Sequence, residues 1–387
     1  MSLKGAETVE QAQQALEAGA DVEEVQEGGK TPLFLAVEAE NLPLVDILLH
    51  HKANPNATDF SQRSPLMAAC EKSLHQVAER LLESGADPNF ENAFSWTPLM
   101  ISSRKGDADM IRCLLRHGAN PNAFNRYNLS PLSYVCDGGH PEAAMALIEG
   151  GADLHHRDRR GWDLSLFAAD SGHVSLLNIL IEKGVVEKNP PSGNDTCLTL
   201  ASFRGWVDVV ERLLEFGMDP DVRDELGNTA LMRACSSSKI DVVDRLLHHG
   251  ANVNIANNRG INPILASCYH SDCGIFDRLI LFGADFRVRT EMDCCMSRAF
   301  WGGNLEIIKR LLDLGEDVNQ LLPNTNQTIL MKACERDNIQ LVKLILQYDP
   351  DIDIVDPSIK KKKKAIKFTK SEEIKQLLIG ESFSLDL

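Results

Sequence analysis

The triplet His156-Arg157-Asp158 has the residue types of a phosphoryl-transfer loop, in which the aspartate serves as the catalytic base. That chemistry also needs a glycine-rich loop over the phosphates and an Asp-Phe-Gly sequence for magnesium, and the chain contains neither. His155 could join His156 as a metal ligand, but two adjacent histidines are more often solvated surface. The triplet therefore predicts no catalysis.

Paired carboxylates suit general acid–base catalysis, and the chain has 56 acidic residues. Many of them recur in Gly-Ala-Asp and Asp-x-x-Gly segments, where such side chains hydrogen-bond the backbone of a turn. No pair stands apart from this background. The sequence therefore predicts a protein that is not an enzyme, with no catalytic residue and no cofactor.

Ten cysteines could supply disulfides or a metal site, but their positions argue against both. No Cys-x2-Cys pair occurs, so the sequence predicts no metal site. Half of the cysteines lie at separations that are multiples of 33 residues: Cys70, Cys136, Cys235, Cys268 and Cys334. A small apolar side chain in a repeating position packs into a core, so we expect buried free thiols in a reducing compartment.

The same spacing of 33 residues runs through the whole chain, and in the sequence no insertion or deletion breaks it. A short apolar segment such as Thr-Pro-Leu opens each unit, a Leu-Leu pair follows about 17 residues later, and Gly-Ala-Asp/Asn comes next. The openings are Thr31, Ser64, Thr97, Ser130, Asp163, Thr196, Thr229, Asn262, Cys295 and Thr328.

The third unit shows which elements one repeat encodes. Pro98 suits the first turn of a helix, because its missing N–H would have no partner there. Gly106 breaks this helix, and a second helix follows with apolar residues at helical spacing. Gly118 ends the second helix in the left-handed conformation. The remaining residues, up to Leu129, form an extended finger that leads into the next unit.

This period and its Thr-Pro-Leu opening resemble the ankyrin repeat, over about residues 8 to 380. The resemblance implies an all-α ankyrin-repeat solenoid, a single curved array with two helices and a β-hairpin-like finger in each repeat. We expect a capping half-repeat at 1–30, ten repeats at 31–360, and a capping helix with a tail at 361–387. Repeat 5, with Pro190-Pro191 in its finger, and repeat 9, which opens at Cys295, are the most degenerate copies and the expected soft joints.

Charge and hydropathy limit the partners. A net charge of −16 disfavours nonspecific binding to nucleic acid or anionic membrane. No apolar run is long enough to span a bilayer, and no secretion signal is evident at residues 1–9. We expect a cytoplasmic or nuclear protein. The run Lys360–Lys364 is either a targeting or docking signal or ordinary solvated charge.

In ankyrin solenoids the finger tips and the exposed side of the first helices make the concave binding face. The resemblance implies that residues about 7, 8, 29, 30 and 32 positions after each repeat start face a partner. Aromatic residues and arginine, which dominate interface hot spots, are concentrated there in the first half of the chain. The candidate partner-binding residues are Phe60, Arg63, Phe94, Trp96, Arg104, Lys105, Arg126, Tyr127, Arg159, Arg160, Trp162, Phe203 and Arg204.

These residues predict a groove on repeats 2 to 6 for an acidic or aromatic-bearing peptide, through arginine–carboxylate pairs and ring stacking. The alternative is that the finger residues pack on one another, with Trp96 and Trp162 covering the adjacent helix. The predicted function is a noncatalytic scaffold or adaptor, monomeric, that binds a protein or peptide. A regulatory or inhibitory subunit that masks an enzyme is the second hypothesis, and binding of RNA or a nucleotide is the third.

Overall fold

A computed structural model describes residues 9–188, 195–269, 273–323, 325–355 and 364–384. Clustering of contacts divides the chain into two compact units, Met1–Glu187 and Lys188–Leu387. The division falls within repeat 5, whose Pro190-Pro191 lies outside the described residues. The predicted division into a cap at 1–30, ten repeats at 31–360 and a cap with a tail at 361–387 stays a prediction.

Each unit consists of short helices. Unit 1 contains a 3-10 turn at Glu27–Gly29 and α1 Val9–Glu17, α2 Pro32–Glu38, α3 Leu42–His50, α4 Pro65–Lys72, α5 His75–Glu83, α6 Pro98–Lys105, α7 Ala108–Arg116, α8 Pro131–Gly138, α9 Pro141–Glu149, α10 Leu164–Asp170 and α11 Val174–Glu182. Unit 2 contains 3-10 turns at Leu346–Tyr348 and Ala365–Lys367 and α12 Cys197–Arg204, α13 Val207–Glu215, α14 Ala230–Ser236, α15 Ile240–His248, α16 Pro263–Ser267, α17 Cys273–Leu281, α18 Cys295–Trp301, α19 Leu305–Asp313, α20 Ile329–Glu335, α21 Ile339–Ile345 and α22 Glu372–Ser384.

The repeated Thr/Ser-Pro-Leu opening is an N-cap. The Thr97 hydroxyl accepts a hydrogen bond from the Met100 amide at 3.2 Å, and Ser64 does the same for Met67 at 3.3 Å. This bond satisfies one of the amides that a helix leaves unpaired at its start, and the following proline lacks the amide that would otherwise need a partner. Each first helix therefore begins one residue after the repeat start.

The ninth repeat departs from the predicted register. Its N-cap is Cys294, whose Sγ accepts from the Ser297 amide, whereas Cys295 is the first residue of α18. Finger length explains the shift. Six described fingers close with a backbone bond between residues four apart, as from Asp59 N to Arg63 O. The finger of repeat 8 closes from Thr290 N to Asp293 O, one residue shorter, and that of repeat 9 from Leu322 N to Gln327 O, one residue longer.

The fingers are turns rather than paired strands. An Asp or Asn at the start of a finger accepts hydrogen bonds from the amides two and four residues later, as Asp158 does from Arg160 and Trp162. Asp158 of the kinase-like triplet is thus a buried turn residue. Within the described residues the only β pairs are two isolated bridges, Arg289 with Cys294 and Val355 with Lys364, so the fold is all-α.

The core lies between successive repeats, because the first helix packs on the next first helix, as α6 does on α8, and the second on the next second, as α7 does on α9. The predicted cysteine column is confirmed. All ten cysteines are free, and the five in the column are buried: Cys70, Cys136, Cys235, Cys268 and Cys334.

At the end of the chain α22 buries Ile374 and Leu378. Lys364 lies before this helix and forms an ion pair with Asp353 at 2.7 Å, while residues 360–363 of the lysine run lie outside the described residues. Among the helices that the structure describes, none combines the length and the apolar character needed to cross a membrane.

Candidate protein-binding surface

Three aromatic rings stand out on consecutive fingers of unit 1. Phe60 is 83% exposed, Phe94 is 56% exposed and Tyr127 is 62% exposed. Their backbones are held firmly, since the Phe60 amide donates to the Gly28 carbonyl at 3.0 Å and the Tyr127 amide donates to Asn125 Oδ1 at 2.9 Å. The fingers therefore present large apolar groups to solvent from fixed positions, and the exposure predicted for these three residues is present.

Trp96 and Trp162 are different, because both are partly buried. The Trp96 ring lies 4.7 Å from the ring of Tyr134 on α8, and the Trp162 ring meets the edge of Phe167 on α10 at 5.5 Å. Residues in this position directly precede a first helix, so a large ring there folds over that layer of helices. Expecting them in an exposed column was wrong, and their packing matches the alternative interpretation.

The tyrosine under Trp96 is a residue that the sequence analysis missed. Its hydroxyl accepts a hydrogen bond from Asn125 Nδ2 at 2.6 Å, and burial raises the pKa of the Tyr134 phenol. The guanidinium of Arg104 lies 4.8 Å from the centre of the Trp96 ring. Together these groups form a small stacked cluster at the base of the fingers. The chemical pattern of Tyr134 alone, a tyrosine inside a helix, would not have indicated this contact.

Two of the predicted arginines are occupied by neighbouring carboxylates. Arg63 pairs with Asp59 at 2.9 Å, with Glu71 at 3.0 Å and with Glu38 at 3.5 Å. Arg160 pairs with the buried Asp158 at 2.9 Å. Its guanidinium also covers Trp162, at 4.2 Å from the ring centre. These side chains join elements within unit 1, which leaves them little freedom to bind a partner.

Four other cations remain open. Arg104, Lys105, Arg126 and Arg159 are exposed, and none of them has a carboxylate within ion-pair distance among the described residues. Lys105 Nζ donates to the Glu71 carbonyl at 2.6 Å. Arg126 donates to the Ala93 carbonyl and lies 4.6 Å from the centre of the Phe94 ring. We call Phe60, Phe94, Tyr127 and these four cations the finger surface of unit 1.

Phe203 and Arg204 belong to unit 2 and are both exposed on α12. The guanidinium of Arg233 lies 6.0 Å from the centre of the Phe203 ring. Unit 2 also holds a cavity of about 450 Å³ whose lining includes Met232, Tyr269 and Trp301. Trp301 was missed because it lies seven residues after Cys294, in the predicted binding column, but not after Cys295. His270, noted beside Tyr269, lies outside the described residues.

Comparison with known proteins agrees with this architecture. A family model described as ankyrin repeats (3 copies) matches residues 3–92, 66–158, 165–257 and 264–356. The chain belongs to the ankyrin-repeat family. The solved structures similar to it include the crystal structure of the human ASB11 ankyrin repeat domain, with a TM-score of 0.53 and 24% identity, covering 58% of this chain and 99% of that one. No curated protein matches the chain.

Membership of the family carries a general expectation about function. Ankyrin repeats generally mediate protein–protein interaction, and the family is typically non-catalytic. The similarity to ASB11 shows the fold alone.

Proposed function

We propose that this ankyrin-repeat protein is a noncatalytic scaffold or adaptor whose finger surface of unit 1 binds an acidic segment of a partner protein. The observation that carries the proposal is the alternation of exposed rings with unpaired cations on successive fingers. Phe60, Phe94 and Tyr127 offer apolar area, and Arg126 and Arg159 offer charge that no carboxylate of the described chain neutralises. Aromatic residues and arginine at fixed positions are the usual hot spots of interfaces.

An acidic partner fits because the surface differs from the rest of the protein. The chain as a whole carries a net charge of −16, so most of its surface repels acidic proteins. The guanidinium groups of Arg104, Arg126 and Arg159 have N–H donors free to form bidentate pairs with carboxylates. The neighbouring rings of Phe94 and Tyr127 would exclude water from such pairs, which strengthens them.

The test is quantitative affinity purification with two matched variants. Phe94→Ala with Tyr127→Ala removes exposed rings, and Leu226→Ala with Met292→Ala removes exposed apolar residues from the fingers of unit 2. We expect partners to be lost with the first variant and kept with the second, at equal helicity. Partners retained by both would place the binding site elsewhere. Binding of short single-stranded RNA that Arg126→Glu abolishes would instead favour nucleic-acid recognition.

The finer points of location and assembly are also proposals. We place the protein in a reducing compartment, the cytoplasm or nucleus, which the absence of disulfides among its ten free cysteines supports. We expect a monomer, since α22 covers the last repeat with Ile374 and Leu378. Light scattering after gel filtration measures the mass directly, and a dimer mass would contradict this expectation.

A further inference from the structure

We propose that Glu79, Cys113 and His117 form a binding site for a zinc ion on the second helices of repeats 2 and 3. Cys113 and His117 lie four residues apart on one face of α7 and its C-cap, and Glu79 reaches them from α5. One ligand atom from each residue lies within 4.8 Å of the others. Nothing in the linear sequence joins Glu79 to the other two, so the missing Cys-x2-Cys pattern gave no sign of it.

The separations suit a tetrahedral ion. Cys113 Sγ lies 2.9 Å from Glu79 Oε2, and His117 Nε2 lies 3.9 Å from Glu79 Oε1. Zinc bonds of about 2.0 to 2.3 Å place neighbouring ligand atoms roughly 3.3 to 3.7 Å apart. Small side-chain rotations would therefore bring sulfur, nitrogen and oxygen to bonding distance. A thiolate, an imidazole and a carboxylate are the donor set that zinc takes in proteins.

The imidazole is already oriented for this role. His117 Nδ1 lies 3.1 Å from the Cys113 carbonyl oxygen. A carbonyl can only accept, so Nδ1 carries the proton and donates it, and the neutral ring presents the Nε2 lone pair towards Glu79. Metal-bound histidines characteristically donate their other ring N–H in this way, which fixes the tautomer and the ring plane. Without a cation, the Nε2 lone pair would face a carboxylate oxygen with no proton between them.

The other repeats show what this position normally contains. An acidic residue on one second helix pairs with an arginine on the next in four places: Arg80 with Asp46, Arg245 with Glu211, Arg278 with Asp244 and Arg310 with Asp277. Repeat 3 keeps the acidic partner, Glu79, but has Cys113 where the others have arginine. Only Arg116 remains near that carboxylate, at 3.4 Å. A bound cation would supply the positive charge that the arginine supplies elsewhere.

The site would hold zinc through three side chains and leave one coordination position for water or for a group from a partner. Binding would replace the thiol proton of Cys113 by the ion, and that proton would leave to solvent, so no oxidant or reductant is needed. The position of the site on the second helices separates it from the finger surface. It is therefore independent of the proposed binding function.

The experiment is a titration of untagged, reduced, metal-free full-length protein with Co²⁺, followed by displacement with Zn²⁺. Cobalt in a site with one thiolate gives a near-ultraviolet charge-transfer band and intense visible bands. We expect these bands to saturate at about one equivalent and to vanish when zinc is added. A spectrum without the thiolate band would overturn the proposal.

Three variants assign the ligands. Cys113→Arg restores the ion pair found in the other repeats, so we expect a native circular dichroism spectrum and complete loss of the bands. His117→Gln changes a partly exposed side chain, so the fold persists and cobalt binding weakens at least tenfold. Cys273→Ser removes the one cysteine that is not buried and should leave the bands unchanged. Bands that survive in Cys113→Arg, or disappear in Cys273→Ser, would place the metal elsewhere.

Discussion

Side chains that look alike in the sequence have different roles once their surroundings are known. Tyr127 and Trp96 are both finger aromatics, but Tyr127 points to solvent while Trp96 stacks on Tyr134 under Arg104. The difference arises from position, since Trp96 directly precedes the N-cap Thr97 and so lies over the helix layer. Burial, rather than residue type, therefore separates candidate binding residues from structural ones.

This distinction predicts opposite effects of two alanine substitutions. Trp96→Ala should lower the free energy of unfolding by about 1 to 3 kcal/mol, because it removes a packed ring and its stacking partners. Tyr127→Ala should change that free energy by less than about 0.5 kcal/mol, because its ring contacts mainly solvent. Urea unfolding followed by circular dichroism measures both. Equal losses would show that Tyr127 also packs in solution.

The buried thiols predict a dependence of stability on alkaline pH. Burial raises the pKa of Cys136 from 9.0 to about 12. Because the folded pKa lies above the unfolded one, the stabilising contribution of the protonated thiol is complete below pH 9 and is lost as the pH rises from 9 towards 12. At pH 10 the loss from this one residue is about 1 kcal/mol.

Cys136→Ala tests this linkage, and the chain offers a precedent because Ala169 holds the same position in repeat 5. The variant should lose less stability than the wild type between pH 8 and pH 10, by about 1 kcal/mol. The comparison uses urea midpoints at the two pH values. An identical loss in both proteins would mean that Cys136 ionises freely in the folded state.

At the scale of the element, the repeat opening acts through its cap. Thr, Ser, Asp and Asn caps begin the other first helices, while repeat 9 uses Cys294, whose sulfur is a weak acceptor. Its neighbour Cys295 is buried at the first helical position. The one-residue shift matters because it decides which cysteine caps the helix and which packs in the core.

This assignment predicts opposite signs for two similar substitutions. Cys294→Ser should stabilise the protein by about 0.5 to 1 kcal/mol, because a hydroxyl is a better cap than a thiol. Cys295→Ser should destabilise it by about 1 to 2 kcal/mol, because a hydroxyl would enter an apolar site. Thermal unfolding of the two variants distinguishes the assignments. The reverse order of stability would restore Cys295 as the repeat start.

At the scale of the molecule, the two compact units separate the proposed functions. Every residue of the finger surface, from Phe60 to Arg159, lies in the unit Met1–Glu187. Repeat arrays gain stability from contacts between neighbours, so a run of several complete repeats can fold alone. The proposed partner site therefore does not need the second half of the chain.

The corresponding prediction concerns a fragment of residues 1–187. It should unfold cooperatively and bind the partner with an affinity within about threefold of the full chain, a difference below about 1 kcal/mol. Circular dichroism checks the folding, and calorimetry with a partner found by affinity purification checks the binding. A folded fragment that has lost more than that affinity would show that unit 2 contributes contacts.

The sequence by itself determined the repeat, its helices and caps, and the burial of the cysteine column. These features follow from local bonds and a fixed period, such as the bond from Met100 to Thr97. Tertiary structure alone decided that Cys294 caps the ninth repeat, that Trp96 packs inward, and that Glu79 meets Cys113 and His117. Each depends on finger length or on contacts between residues about one repeat apart, and neither composition nor spacing encodes those distances.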